Sequence, residues 1–73
     1  MTPIIATIYV VPETSGNWVV HGEHPSEVLG RFPQKVEALD AARTIAHDKH
    51  GQLVVRRSDS SVEFAEDFAS VER

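Results

Sequence analysis

The chain has 73 residues, of which 41% are hydrophobic and 25% are charged, and its formal net charge is −4. These values are typical of one small globular domain and exclude a chain that is disordered throughout. The acidic balance disfavours a dedicated DNA-binding protein, which needs a basic surface. Because the chain has no cysteine, disulfide scaffolds and cysteine-ligated metal sites are excluded.

The chain shows no signal for a membrane or for export. No segment reaches the roughly 20 consecutive apolar residues of a membrane helix, and residues 1–3 lack the basic region of a secretory signal peptide. We therefore expect a cytoplasmic protein whose residues 1–73 form a single domain. The acidic excess lies in residues 59–73, which predicts a solvated acidic C-terminal tail at about 66–73.

The first predicted element is a strand over about residues 4–11, where β-branched and aromatic side chains dominate. Both of its alternating faces are apolar, which is typical of a central strand. Turn-forming residues follow, and then a second predicted strand over about 18–22, so that the two runs predict a β-hairpin. We expect Trp18 to lie in the core, because alternation places it on the same side as Val20.

The segment 23–33 contains two prolines and Gly30, and this composition predicts a loop. A helix is predicted over about 34–50, because apolar residues recur on one side at helical spacing. Four of those residues are alanines, which predicts that the helix backbone closely approaches a sheet. Gly51 is the predicted C-cap of this helix.

Two more strands are predicted after the helix, over about 52–57 and 61–65. The element order is therefore β-β-α-β-β. We predict an α+β fold with a four-stranded antiparallel sheet, in the order 2-1-3-4, and one helix on one face of that sheet.

Several segments are similar to those of the bacterial domain-of-unknown-function family 2188. The similarity covers roughly residues 8–68 and rests on four runs of residues: Ile8 to Pro12, Trp18 to Val20, Glu37 to Ala46 with its alanines, and Gly51 to Val55. The resemblance implies the same β-β-α-β-β order and a bacterial or phage-borne protein. It also implies an Asp-Gly turn before the last strand, where this chain has Asp59-Ser60-Ser61, and it supplies no catalytic residues.

Chemistry-bearing patterns are sparse. Two histidine pairs, His21 with His24 and His47 with His50, have a spacing of three residues, but we interpret them as surface histidines rather than metal ligands. No nucleophile elbow or glycine-rich phosphate loop is present. We therefore expect no enzymatic activity, no cofactor and no metal site.

The predicted sheet face without a helix is too apolar to be freely solvated, and such a patch commonly marks an interface. We therefore expect a non-enzymatic protein-interaction module that binds itself, as a homodimer, or another bacterial protein through this face or an edge strand. A weak single-stranded nucleic-acid-binding protein and a phage-type inhibitor of a host protein are the alternatives. The candidate partner surface consists of Ile5, Thr7, Tyr9, Val11, Val19, Val54 and Arg56.

Overall fold

The computed structural model describes residues 6–24 and 26–68, and it has an α+β fold. Its elements are β1 (Thr7–Pro12), β2 (Trp18–His21), β3 (Val28–Phe32), α1 (Lys35–Asp48), β4 (Gln52–Arg56) and β5 (Val62–Asp67). The strands form one sheet in the order β3-β2-β1-β4-β5. Within the described residues, no helix is both long enough and apolar enough to cross a bilayer.

β1 occupies the centre of the sheet, as its two apolar faces predict. It pairs with β2 in an antiparallel hairpin on one side and with β4 on the other. The pairing with β4 is parallel, with Thr7 opposite Gln52 and Val10 opposite Val55. The sheet is therefore mixed, and the prediction of a four-stranded antiparallel sheet in the order 2-1-3-4 is wrong.

The physical reason for this error is strand β3, which lies within the predicted loop at 23–33. β3 pairs antiparallel with β2, so that it runs in the same direction as β1. The chain consequently enters α1 from the opposite end of the sheet, and the helix returns it to the end where β1 begins. Gly30 made this strand hard to predict from the sequence, because glycine is uncommon in strands. In the structure, the ring of Phe32 lies over Gly30 and fills the space that a side chain would occupy.

The element boundaries differ from the predicted ones by a few residues. α1 begins one residue later and ends two residues earlier than the predicted helix at 34–50. β5 extends to Asp67, so that part of the predicted acidic tail at 66–73 belongs to the sheet. Residues 4 and 5 of the first predicted strand and residues 69–73 lie outside the described residues.

The core lies between α1 and one face of the sheet. Ala38, Ala42 and Ala46 are completely buried on the helix, as the alanine pattern predicts. The large side chains come from the sheet, where Val10, Val20, Leu53 and Val55 are also fully buried. Small residues on the helix let its backbone approach these side chains closely, and this contact provides most of the apolar burial that stabilises so small a fold.

Trp18 packs against the edge of this core rather than at its centre. Its side chain is half-buried, and the ammonium group of Lys35 lies 5.4 Å from its ring centroid. Lys35 is itself held by the carboxylate of Glu63, at 2.6 Å. The indole ring therefore closes the end of the core beneath a cation, which is a cation–π arrangement.

We expect Trp18→Ala to lower the free energy of unfolding by about 3 kcal/mol, the low end of the range for a large aromatic side chain, because the ring is only half-buried. Urea denaturation followed by circular dichroism measures this change. Val36→Ala is the control, because Val36 is 68% exposed and its loss should cost less than about 0.5 kcal/mol. An unchanged urea midpoint for Trp18→Ala would contradict the placement of the ring.

The C-terminus of α1 ends in a Schellman motif. The amide of His50 donates to the carbonyl of His47 at 3.1 Å, and the amide of Gly51 donates to the carbonyl of Ala46 at 2.9 Å. The C-cap is Lys49, and the residue in the left-handed conformation is His50, with φ of 52°. The prediction that Gly51 is the C-cap is therefore wrong.

Gly51 is required for a different reason, namely the close approach of β1. A Cβ atom at this position would collide with the carbonyl oxygen of Ala6. The same carbonyl accepts a hydrogen bond from the amide of Gln52 at 2.8 Å. The glycine thus allows the end of the helix loop to lie directly against the start of the central strand.

The two positions should therefore respond to substitution in opposite directions. His50→Gly relieves the left-handed strain and should raise the free energy of unfolding by about 1 kcal/mol. Gly51→Ala introduces the collision and should lower it by about 2 kcal/mol or more. Urea denaturation of the two variants beside the wild type tests both, and a neutral Gly51→Ala would contradict the close approach.

Candidate interaction surface

The sheet face opposite α1, called the open face below, carries the described members of the predicted partner surface. Ile8 and Val10 of β1 belong to the core beneath α1, so that Thr7, Tyr9 and Val11 point to the open face. The strand register then brings the other predicted residues beside them. Val19 lies opposite Val11, Val54 lies opposite Tyr9, and Arg56 follows Val54 on the same face. Ile5 lies outside the described residues.

The open face is less exposed than its apolar composition suggests. Val19 is only 6% exposed, and the other described residues of the predicted surface are half-buried. α1 lies on the other side of the sheet, so other side chains must shield the valines. Two sets of polar side chains lie across them.

The first set is an ion pair that spans β2. Arg31 on β3 lies opposite Val19, and its Nε donates to Oε2 of Glu13, just after β1, at 3.1 Å. The two side chains meet across β2 on the side where Val19 lies, which accounts for the burial of that valine. This pair could not be predicted from the sequence, because Arg31 falls within the segment predicted as a loop.

The second set is a row of three planar groups from β4, β1 and β2, called the stacked row below. The rings of Tyr9 and His21 stack with centroids 5.1 Å apart and an interplanar angle of 21°. The guanidinium carbon of Arg56 lies 5.3 Å from the Tyr9 centroid, within the range of a cation–π contact. Tyr9 and Arg56 were predicted as partner-surface residues, but His21 was interpreted only as a surface histidine.

Both ends of the stacked row are attached to backbone carbonyls. The Nη1 of Arg56 donates to the carbonyl of Ser60 at 3.0 Å. At the other end, Nδ1 of His21 lies 2.7 Å from the carbonyl of Gly22, and because a carbonyl only accepts, Nδ1 is the donor. These two hydrogen bonds fix the orientation of the outer planar groups.

The turn between β4 and β5 holds the carbonyl that Arg56 uses. Ser60 has φ of 74°, the left-handed conformation that glycine adopts at no steric cost. The family resemblance implies an Asp-Gly turn here, and Ser60 occupies the glycine position. Oδ1 of Asp59 accepts hydrogen bonds from the hydroxyl of Ser61 at 2.6 Å and from its amide at 3.0 Å, which stabilises the turn.

These hydrogen bonds also act on the charge of Asp59. The hydroxyl of Ser61, followed by its backbone amide, lowers the pKa of the Asp59 carboxyl below its ordinary value of 3.8. Both donors favour the ionised carboxylate, which is the form that accepts them.

Within the part of the chain that the structure describes, the histidine pairs belong to no cluster of three or more metal-ligating side chains. Within residues 6–24 and 26–68, no group of three or more His, Asp or Glu residues could hold a metal ion. His47 instead lies edge-on to the ring of Phe68, with centroids 5.8 Å apart. His50 has the left-handed position after α1.

Two cavities lie around the C-terminal end of α1, and Gly22, which follows His21 of the stacked row, lines the smaller one. They measure about 750 and 260 Å³, and both are lined by Leu29 and Lys49. Ile45 and Phe68 supply further apolar lining in the larger cavity. Leu29 is the extra residue of a β-bulge, because β2 pairs Val20 with Gly30 but His21 with Val28.

The fold and these surfaces define a small α+β protein in which one helix covers one face of a five-stranded mixed sheet. The family model described as "Uncharacterized protein conserved in bacteria (DUF2188)" matches residues 8–68. The match runs from β1 to the residue after β5, and the chain belongs to this family, as its resemblance predicted. No curated protein and no solved structure matches the chain.

The Asp59 turn generates a prediction about pH. Because the folded pKa lies below the ordinary value of 3.8, the turn contributes stability above that value and loses it as the pH falls below it. Asp59→Asn should therefore show a shallower loss of stability on acidification than the wild type. Urea midpoints measured across the acidic range test this, and parallel profiles for the two proteins would contradict it. Ser61→Ala, which removes the hydroxyl donor, should flatten the profile in the same direction but less.

Proposed function

We propose that this chain is a non-enzymatic module that binds another protein by pairing its edge strand β3 with an extended segment of the partner. The proposal rests on two adjacent apolar residues of β3, Val28 and Leu29, which are 39% and 43% exposed. An edge strand also presents unpaired backbone donors and acceptors. Main-chain pairing provides affinity in this mode of recognition, and side-chain pockets provide specificity.

The chemistry of the two sheet edges differs and favours β3. The opposite edge, β5, carries Glu63, Glu66 and Asp67, and charged side chains on an edge strand oppose pairing with another strand. The only charged residue of β3 is Arg31, which is held by Glu13 of the same chain. A partner strand therefore meets one charged side chain on β3, against three on β5.

The bulge at Leu29 adds a place for a partner side chain. Leu29 reaches the two cavities at the end of α1, and Ile45 and Phe68 extend the larger one as an apolar surface. Bulges commonly redirect a side chain in this way beside a functional site. An extended segment with apolar side chains fits both the strand edge and this surface.

Site-specific photo-crosslinking in bacterial cells tests the proposal. A photoreactive amino acid replaces Leu29 in one variant, Val36 in a second and Val62 in a third; all three native residues are exposed and apolar, and only the first lies on β3. We expect a protein adduct from position 29 and little from the other two. Adding Val28→Lys should reduce that adduct by at least about fivefold, the equivalent of about 1 kcal/mol.

The purified complex provides the decisive measurement. We expect amide hydrogen exchange to slow along β3, and mass spectrometry to find the adduct in an extended segment of the partner. Equal adducts from all three positions, or unprotected β3 amides, would refute pairing at this edge. An adduct of twice the chain mass would leave β3 as the binding site but identify the partner as a second copy of this chain.

A further inference from the structure

The open face carries a second feature, which adjoins the β3 edge where Val28 lies opposite His21. We propose that the stacked row of Arg56, Tyr9 and His21 binds single-stranded nucleic acid, with a base stacking on an outer face of the row and a phosphate facing Arg56. Sequence-tolerant binding of single strands combines aromatic platforms with cations in this way.

The geometry of the row suits a planar ligand. Its three members come from three adjacent strands and stand face to face on a rigid sheet, with successive separations of 5.1 and 5.3 Å. Tyr9 is therefore covered on both faces, and a base would extend the stack from the outer face of His21 or of Arg56. The hydrogen bonds to Ser60 and Gly22 already orient its two ends. Little side-chain freedom remains to be lost on binding, and preorganisation of this kind increases affinity.

Arg56 retains the donors that a phosphate needs. A guanidinium group has five N–H donors, and within the described part of the chain the only hydrogen bond of this side chain is the one from Nη1 to Ser60. No carboxylate is paired with Arg56 in that part of the chain, whereas Arg31 and Arg43 are each paired with a glutamate. Among the described residues, Arg56 is therefore a cation of the open face that is available to an anion.

Part of the acidic charge lies away from the row, but Asp59 adjoins its Arg56 end and the carboxylate of Glu27 lies against Gly22 at its His21 end. Glu37, Asp40 and Asp48 lie on α1, on the other side of the sheet. Glu63 and Glu66 of β5 are neutralised by Lys35 and Arg43 of the same helix. The overall charge of −4 still repels a polyanion at long range, so the binding should be weak and strongly dependent on salt.

A protein partner fits this face less well. Such an interface buries an apolar centre, but here the ion pair of Arg31 and Glu13 already covers Val19, which is 6% exposed. What the row adds is planar and cationic surface. Of the exposed large apolar residues of the described chain, Val28 and Val62 lie opposite His21 and Arg56, at the two ends of the row, so that the row separates them and they form no continuous apolar centre.

Amide NMR titration of the full chain with oligothymidylate of about eight nucleotides, within the usual site size for a single small domain, tests the inference at low salt. We expect the largest shifts at Tyr9, His21 and Arg56. Tyr9→Leu, which keeps an apolar side chain but removes the ring, should weaken binding by at least about fivefold. Arg56→Gln should reduce the slope of log affinity against log salt by about one.

Arg57→Gln is the matched control, because it removes the same charge from the adjacent exposed position, outside the row. It should weaken binding less than Arg56→Gln does. Circular dichroism confirms that each variant is folded, and Arg56→Gln remains informative if Tyr9→Leu is unstable. The inference is wrong if the oligonucleotide shifts no amides, if the shifts lie on α1, or if Tyr9→Leu binds as tightly as the wild type. It is also wrong if a protein partner protects the row and the oligonucleotide does not displace it.

Discussion

Everything in this fold depends on the contact between three alanines of α1 and the valine-rich face of the sheet. Ala38, Ala42 and Ala46 have almost no side-chain volume, so that the helix lies close to Val10, Val20, Leu53 and Val55. A single helix can cover only one face of a five-stranded sheet. The contact that stabilises the protein thus leaves the open face uncovered by α1. The apolar residues of that face must be shielded from water by other side chains.

The solution uses side chains of the sheet itself. The ion pair of Arg31 with Glu13 covers Val19, and Tyr9 lies against His21 and Arg56. Both sets are held by contacts within the chain, so that the surface has a defined shape before any ligand arrives. The large apolar residues that remain most exposed are at the margins, among them Val28 and Leu29 on β3. The two proposals therefore concern adjoining surfaces, one apolar at an edge and one planar and cationic on a face, which meet where Val28 lies opposite His21.

The sequence predicts those elements whose own residues show a clear strand or helix pattern. β1 and β2 are rich in β-branched residues, and the alanines of α1 repeat at helical spacing, so their existence and the central place of β1 could be predicted. β3 could not be, because it lies at an edge, alternates poorly in burial and contains Gly30, whose missing side chain is replaced by the ring of Phe32. Missing that one strand reversed the inferred direction of every later element. Similarly, Tyr9 and Arg56 were identifiable as surface residues, but their contacts with each other and with His21 depend on a register that only the folded sheet defines.

The parallel seam between β1 and β4 has a kinetic consequence. β1, β2 and β3 follow one another as a meander, and β4 and β5 form a hairpin, so both groups assemble from residues close in the chain. Thr7, by contrast, pairs with Gln52, which requires a long loop containing α1 to close first, at an entropic cost that local pairing avoids. The protein thus consists of two locally assembled halves joined along one seam, the pairing of β1 with β4. α1 packs across this seam and contacts both strands. The close approach that Gly51 permits lies at the end of that seam, where the start of β4 meets the start of β1.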